Sequence, residues 1–69
     1  MREWLKNLRV EKNLTMKEVS EKLGISESYY CTIEKGERQK RMDLSLATGI
    51  ASLFNIPVDQ IVAYELHKA

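Results

Sequence analysis

The sequence predicts an all-α fold, five short helices in a single domain over residues 1–69. Three observations predict it. Apolar residues recur three and four positions apart along most of the chain, and strand-like alternation is almost absent. Thr15, Ser26 and Asp43 stand directly before such stretches, where a side-chain oxygen caps a helix N-terminus. Asn13, Gly24, Gly36 and Asn55 stand where the stretches stop, and these residue types tolerate the left-handed backbone of a helix end.

The first helix carries Trp4, Leu5 and Leu8 and ends at Asn13. Thr15 opens the second, with Glu18 three residues on, which is the spacing of a capping box. Leu14 and Val19 flank that cap as a hydrophobic staple. Val19 and Leu23 continue the apolar face, and Gly24 ends it. Ser26 caps the third helix, Ile25 and Tyr30 form its staple, and Tyr30 and Ile33 form its buried stripe. After Gly36 a charged loop runs from Glu37 to Arg41. Asp43 caps the fourth helix, apolar at Leu46, Ala47, Ile50, Ala51, Leu53 and Phe54. Gly49 is expected to weaken that helix by ~1 kcal/mol relative to Ala. Asn55 and Pro57 mark the passage to a last helix, apolar at Val58, Ile61, Val62 and Leu66. Residues 66–69 are expected to fray.

Size and composition exclude most functions. A chain of 69 residues buries only ~60% of its unfolded surface. It has no room for a separate catalytic domain, a nucleotide fold or a large substrate cavity. One Cys and one His make a multi-thiolate metal site or a thiol–imidazole catalyst implausible, so no metal, cofactor or enzymatic activity is expected. Arg2, Glu3 and Trp4 follow Met1 without an apolar signal core. The longest unbroken apolar stretch, Ile61 to Tyr64, is far short of the ~20 residues that span a bilayer. The expectation is a cytoplasmic domain that binds a partner, with no membrane and no small-molecule substrate.

The 11 basic and 10 acidic residues leave a net charge of +1, which hides a local asymmetry. Charges cancel over residues 1–34. Lys35, Arg38, Lys40 and Arg41 against Glu37 make the next segment strongly basic, and the remainder is acidic. Such a spot is either a solvated loop or an electrostatic footprint.

The informative piece is residues 16–35. A steep crossing of two helices through a tight turn needs a small residue at the contact, a glycine in the bend and apolar residues on both sides. Ser20, Gly24 and the set Val19, Leu23, Ile25, Tyr30 and Ile33 supply them.

The run Leu14-Thr15-Met16-Lys17-Glu18-Val19-Ser20-Glu21-Lys22-Leu23-Gly24-Ile25-Ser26 resembles the Xre-like family, the Cro and lambda-type phage repressors and their bacterial relatives. The continuation Ser28-Tyr29-Tyr30-Cys31-Thr32-Ile33-Glu34-Lys35-Gly36-Glu37-Arg38 is also typical of it. The resemblance spans roughly residues 2–64. It implies a lambda-repressor-like five-helix DNA-binding domain whose helix over about 27–35 enters the major groove.

The resemblance implies roles for matching positions. Base readers fall at Glu27, Ser28 and Thr32, with Cys31 beside them. Ser and Thr can bond several base edges, the Thr methyl can touch a thymine methyl, and Glu27 can accept from a cytosine amino group. Glu27 has an alternative role in stabilising the positive end of its helix. Phosphate contacts are expected from helix N-terminal amides and from Thr15, Lys17, Ser26, Tyr29, Lys35, Arg38, Lys40 and Arg41. Tyr30 is a core position. Many relatives open the second helix with a glutamine that bonds a phosphate. Met16 stands there and cannot donate, leaving Lys17 to compensate. The loop before the fourth helix is about two residues longer than is common, and its Gln39-Lys40-Arg41 run can reach further along the backbone. Arg9 and Glu34 match a structural salt bridge between the first and third helices.

These roles imply a sequence-specific transcriptional regulator, a repressor that binds double-stranded operator DNA as a homodimer. Its dimer surface is expected at Ile56, Val58, Ile61, Val62 and Tyr64, residues that alternatively close the core. The competing function is an antitoxin or other protein-binding module on the same fold.

Overall fold

In a computed structural model, which describes residues 1–38 and 42–66, five helices follow in order: α1 (Glu3–Glu11), α2 (Met16–Leu23), α3 (Glu27–Lys35), α4 (Leu44–Phe54) and α5 (Val58–Leu66). Among the described residues there is no strand. Gln39, Lys40, Arg41 and residues 67–69 lie outside the described set.

Local chemistry starts and stops these helices. At α2 the Thr15 Oγ1 accepts from the Glu18 amide at 3.0 Å, and the Glu18 carboxylate accepts from the Thr15 amide at 2.8 Å. These two bonds satisfy amides that a helix start leaves without partners. They also hold the Glu18 carboxyl below its usual range, the backbone bond from Thr15 being the larger cause. Ser26 accepts from the Tyr29 amide at the start of α3, and Asp43 accepts from the Leu46 amide at 2.7 Å at the start of α4. Asn13 (φ 56°) follows α1 and Asn55 (φ 55°) ends α4, both in the left-handed region. Gly24 (φ 73°) ends α2 in an open position, so its glycine answers a backbone requirement and not a lack of room.

α1 has no side-chain cap. Instead the Arg2 carbonyl accepts from the Leu5 and Lys6 amides, while the Arg2 amide donates to the Glu34 carbonyl at 2.9 Å. The first helix therefore starts on the end of the third. α2 packs on α3 and α4, α1 on α3, and α4 on α5. The chain bends by 114° between α4 and α5, and among the described residues no single helix is long and apolar enough to cross a membrane.

Leu5, Val19, Tyr30, Ile33, Ala47, Ile50, Ala51, Phe54 and Ile61 form the buried core, so every helix contributes. Burying each large side chain among them stabilises by about 1.5–3 kcal/mol before entropy is counted. Buried Ser20 donates its hydroxyl to the Lys17 carbonyl at 2.7 Å, so the small residue at the α2 contact leaves no unmet donor.

Packing adds to the reading at two positions. Leu66 ends α5 with 77% of its surface exposed, because the turn that Ile61 buries has already rotated past the core. Gly49 is not merely a weak helix former. A Cβ there would lie 3.3 Å from the Leu23 side chain, so the glycine lets α2 approach α4.

Among the described residues, two ion pairs bind the elements together. Arg9 Nε and Nη2 donate to the two Glu34 carboxylate oxygens at 3.0 and 3.1 Å, and Nη1 donates to the Leu14 carbonyl. Glu34 is fully buried, and its carboxylate raises the Arg9 pKa further. The Tyr30 hydroxyl is buried in the same region and meets no partner in hydrogen-bonding geometry among the described residues. Burial first, and the neighbouring Glu34 carboxylate next, push its pKa up. The second pair joins Arg2 to Glu65 at 2.9 Å.

Candidate nucleic-acid interface

Three residues, Gly24, Ile25 and Ser26, separate α2 from α3. Ile25 packs against the core, and its amide bonds the Ser20 carbonyl at 3.0 Å, which fixes the bend. On α3, buried Tyr30 and Ile33 set which side faces inward. Ser28 consequently lies exposed on the opposite side with half-buried Thr32 one turn later, half-buried Cys31 flanks them, and Glu27 is exposed at the very start of the helix.

Met16, Glu27, Ser28 and Cys31 line one shallow concavity. Met16 is the first residue of α2, and Glu27 is the first of α3. Two helix N-termini therefore converge on it. The Met16 and Lys17 amides in α2, and the Glu27 and Ser28 amides in α3, precede the first intrahelical bonds and are available to acceptors from outside. Both termini carry the positive end of a helix dipole.

The remaining candidate positions divide by engagement. Thr32 donates its hydroxyl to the Tyr29 carbonyl at 2.7 Å, which leaves its oxygen lone pairs and its methyl group for other contacts. The Thr15 and Ser26 oxygens accept cap bonds, which leaves their hydroxyl protons to donate. Tyr29 is half-buried and packs on the core. Lys17 and Lys35 are exposed, in the first turn of α2 and the last of α3. Arg38 is exposed in the turn after Gly36, and its amide, with that of Glu37, bonds the Thr32 carbonyl. Lys40 and Arg41, the other half of the basic segment, lie outside the described residues.

The residue that sequence reasoning missed is Arg2. It is 1% exposed, and its Nη1 donates to the Ile33 carbonyl at 2.7 Å and to the Arg38 carbonyl at 3.2 Å. A buried guanidinium thus pins the turn that leads into the basic segment. Only the unusual placement of an arginine beside Trp4, ahead of the first apolar stripe, could have hinted at it.

The five residues expected at a dimer surface are split by the fold. Ile61 is 1% exposed and belongs to the core, which is the alternative role weighed for it. Ile56 and Val58 are half-buried against that core. Tyr64 stacks on Trp4, with ring centroids 5.0 Å apart and planes 9° from parallel. Val62 stays 49% exposed, and with Leu66 four residues later it leaves an apolar pair on the outside of α5.

Among the described residues, no three of His, Cys, Asp and Glu come together as metal ligands would. The surface offers donors, acceptors and a small apolar hollow, which suit recognition.

Comparison with known proteins points the same way. A family model described as helix-turn-helix matches residues 5–61. An uncharacterized HTH-type transcriptional regulator of Methanocaldococcus jannaschii is 37% identical over 65 residues, spanning 94% of this chain and 96% of its own. The uncharacterized HTH-type transcriptional regulator YqaF of Bacillus subtilis is 41% identical over 49 residues, 71% of this chain and 64% of its own.

Proposed function

The chain belongs to the Xre-like helix-turn-helix family, a family of DNA-binding transcriptional regulators, and from that premise we propose that it is a cytoplasmic repressor that reads operator DNA in the major groove as a homodimer. Its work in this reading is binding alone. Occupying an operator excludes other proteins from it and requires no reaction.

The observation that carries the reading is the convergence of the α2 and α3 N-termini on one open surface lined by Met16, Glu27, Ser28 and Cys31. A helix N-terminus favours anionic oxygen, and the major groove is wide enough to admit an α-helix. Glu27, Ser28, Thr32 and Cys31 then face base edges. The phosphates on either side are met by the free amides, by the Thr15, Ser26 and Tyr29 hydroxyls, and by Lys17, Lys35 and Arg38, with Lys40 and Arg41 beyond them. Arg9 and Glu34 hold α1 against the reading helix. A second copy docks through Val62 on the outside of α5, with Ile56, Val58 and Tyr64 at the margin, and sets two reading helices on half-sites about 34 Å apart.

Duplex binding at graded salt tests this reading. Affinity should fall with a log–log slope of about −0.9 per phosphate contact. Changing Lys35 and Arg38 to Ala should weaken all sequences alike and flatten that slope. Changing Ser28 or Thr32 to Ala should alter which sequence is preferred. A module that binds a protein through this fold would show no salt-steep affinity for any duplex, and that result would remove the operator reading.

A further inference from the structure

Resting on the operator-binding reading, we propose that each half-site contains a cytosine and a thymine one or two base steps apart, the cytosine read by the Glu27 carboxylate and the thymine by its 5-methyl group seated between Met16 and Cys31. The concavity beside the start of α3 has two kinds of wall. Glu27 and Ser28 are exposed on it, whereas Met16 and Cys31 are half-buried in it.

The major-groove code decides what such a surface can accept. A carboxylate only accepts hydrogen bonds. It is repelled by the guanine N7 and O6 and by the thymine O4; adenine offers an amino donor but sets the repelling N7 beside it, so the cytosine amino group is the better match. The Met thioether and the Cys thiol are weak hydrogen-bonding groups that behave as small polarizable hydrophobes. The apolar feature that the major groove displays is the thymine methyl. Among the described residues no Arg, Lys, Asn or Gln lines the hollow, so its described lining offers neither the paired donors that would select guanine nor the amide that would select adenine. Ser28 is versatile and discriminates little.

The spacing fits two neighbouring bases. Glu27 and Cys31 are one helical turn apart, about 6 Å along the axis at the α-helical rise. Successive base pairs are separated by about 3.4 Å. Met16 enters from the other helix, and this gives the methyl a second wall that α3 alone does not supply. Met16, the first residue of α2, is in this assignment a group that touches a base.

The test uses the intact chain. Selection from random duplexes at two salt concentrations gives the preferred half-site. Each thymine in it is then replaced by deoxyuridine, which removes the 5-methyl and leaves every hydrogen-bonding group in place. At one thymine beside the selected cytosine, affinity should fall roughly fourfold, the change that burying one methyl-sized group corresponds to. In Met16→Ala the thymine and deoxyuridine duplexes should bind equally. In Glu27→Gln the cytosine preference should move to adenine, which an amide side chain matches. A half-site without the cytosine, or deoxyuridine bound as tightly as thymine at every position by the unaltered chain, overturns this assignment and leaves operator binding standing. If no duplex is enriched at either salt, both fall together. The deoxyuridine comparison needs no variant, so a misfolded substitution does not blur it.

Discussion

Arg2 and Glu65 form a two-point ion pair between the entry to α1 and the end of α5, with Nε–Oε2 at 2.9 Å and Nη2–Oε1 at 3.0 Å. The Trp4 indole N–H donates to the same carboxylate at 3.1 Å. The third guanidinium nitrogen is spent on the Ile33 and Arg38 carbonyls. One side chain therefore joins the first helix, the last helix and the turn beyond α3.

Removing it should be costly. Arg2→Met takes the cation from a mostly buried carboxylate and a donor from two carbonyls, and about 3–5 kcal/mol of stability should be lost. Arg2→Lys should recover only part of that loss, since an ammonium cannot serve a carboxylate and two carbonyls from one rigid fork. Urea unfolding followed by circular dichroism measures both. A loss under about 1 kcal/mol in Arg2→Met, the range of an exposed pair, would show that the guanidinium is solvated in solution.

The Arg9–Glu34 pair should behave non-additively. Arg9→Met alone strands a fully buried carboxylate and should cost about 3–5 kcal/mol, whereas Arg9→Met with Glu34→Leu replaces the pair by apolar groups and should cost less than the single change. The four unfolding free energies of the cycle decide this. Strict additivity would mean that the two side chains do not act as a pair.

Tyr30 predicts an alkaline limit to stability. Its folded pKa lies above the ordinary phenol value of 10.0. The folded state therefore keeps the proton after the unfolded chain has released it. Stability is unaffected below about pH 10 and declines as pH rises beyond it. Tyr30→Phe should abolish that part of the decline. At neutral pH it should be stabilising by less than about 1 kcal/mol, because it removes a buried hydroxyl that lacks a partner. Urea midpoints for both proteins between pH 8 and 11 on the pH scale check the two statements. A clear destabilisation of Tyr30→Phe at pH 7 would mean that the hydroxyl is hydrogen-bonded in solution.

What could be read from the chain was local. The Thr15–Glu18 box, the Ser26 and Asp43 caps and the left-handed Asn13, Gly24, Gly36 and Asn55 are all decided within a turn of their own backbone, so residue type and spacing reveal them. The exposure of Ser28 follows from the same periodicity that buries Tyr30 and Ile33, and that of Glu27 from its place in the first turn of the helix. Arg2 was not legible, because its partners stand 31, 36 and 63 residues away and no pattern marks them. Ile61 and Val62 are adjacent and both apolar. Only the angle at which α5 returns to the core buries the first and exposes the second. The hollow between Met16 and Cys31 belongs to two helices at once, so neither helix announces it.

Gly49 gives the last prediction, because two effects of opposite sign meet there. In an exposed helix Gly→Ala gains about 1 kcal/mol of propensity. Here the new Cβ would sit 3.3 Å from Leu23 Cδ2, a few tenths of an ångström too close. That atom is the far end of a flexible, half-buried side chain which borders a shallow surface hollow shared with Ile25, Tyr29 and Leu46. Leu23 has room to yield, so Gly49→Ala should still stabilise, by less than about 1 kcal/mol. Gly49→Leu cannot be absorbed in this way. It must push α2 from α4, and overpacking of this kind costs about 1–3 kcal/mol. If the surface that Met16 of α2 shares with α3 reads DNA as proposed, Gly49→Leu should also weaken duplex binding beyond what its lost stability explains. If Gly49→Ala destabilises instead, Leu23 is held more rigidly than its partial exposure implies, and the α2–α4 contact is the tightest joint beneath the interface.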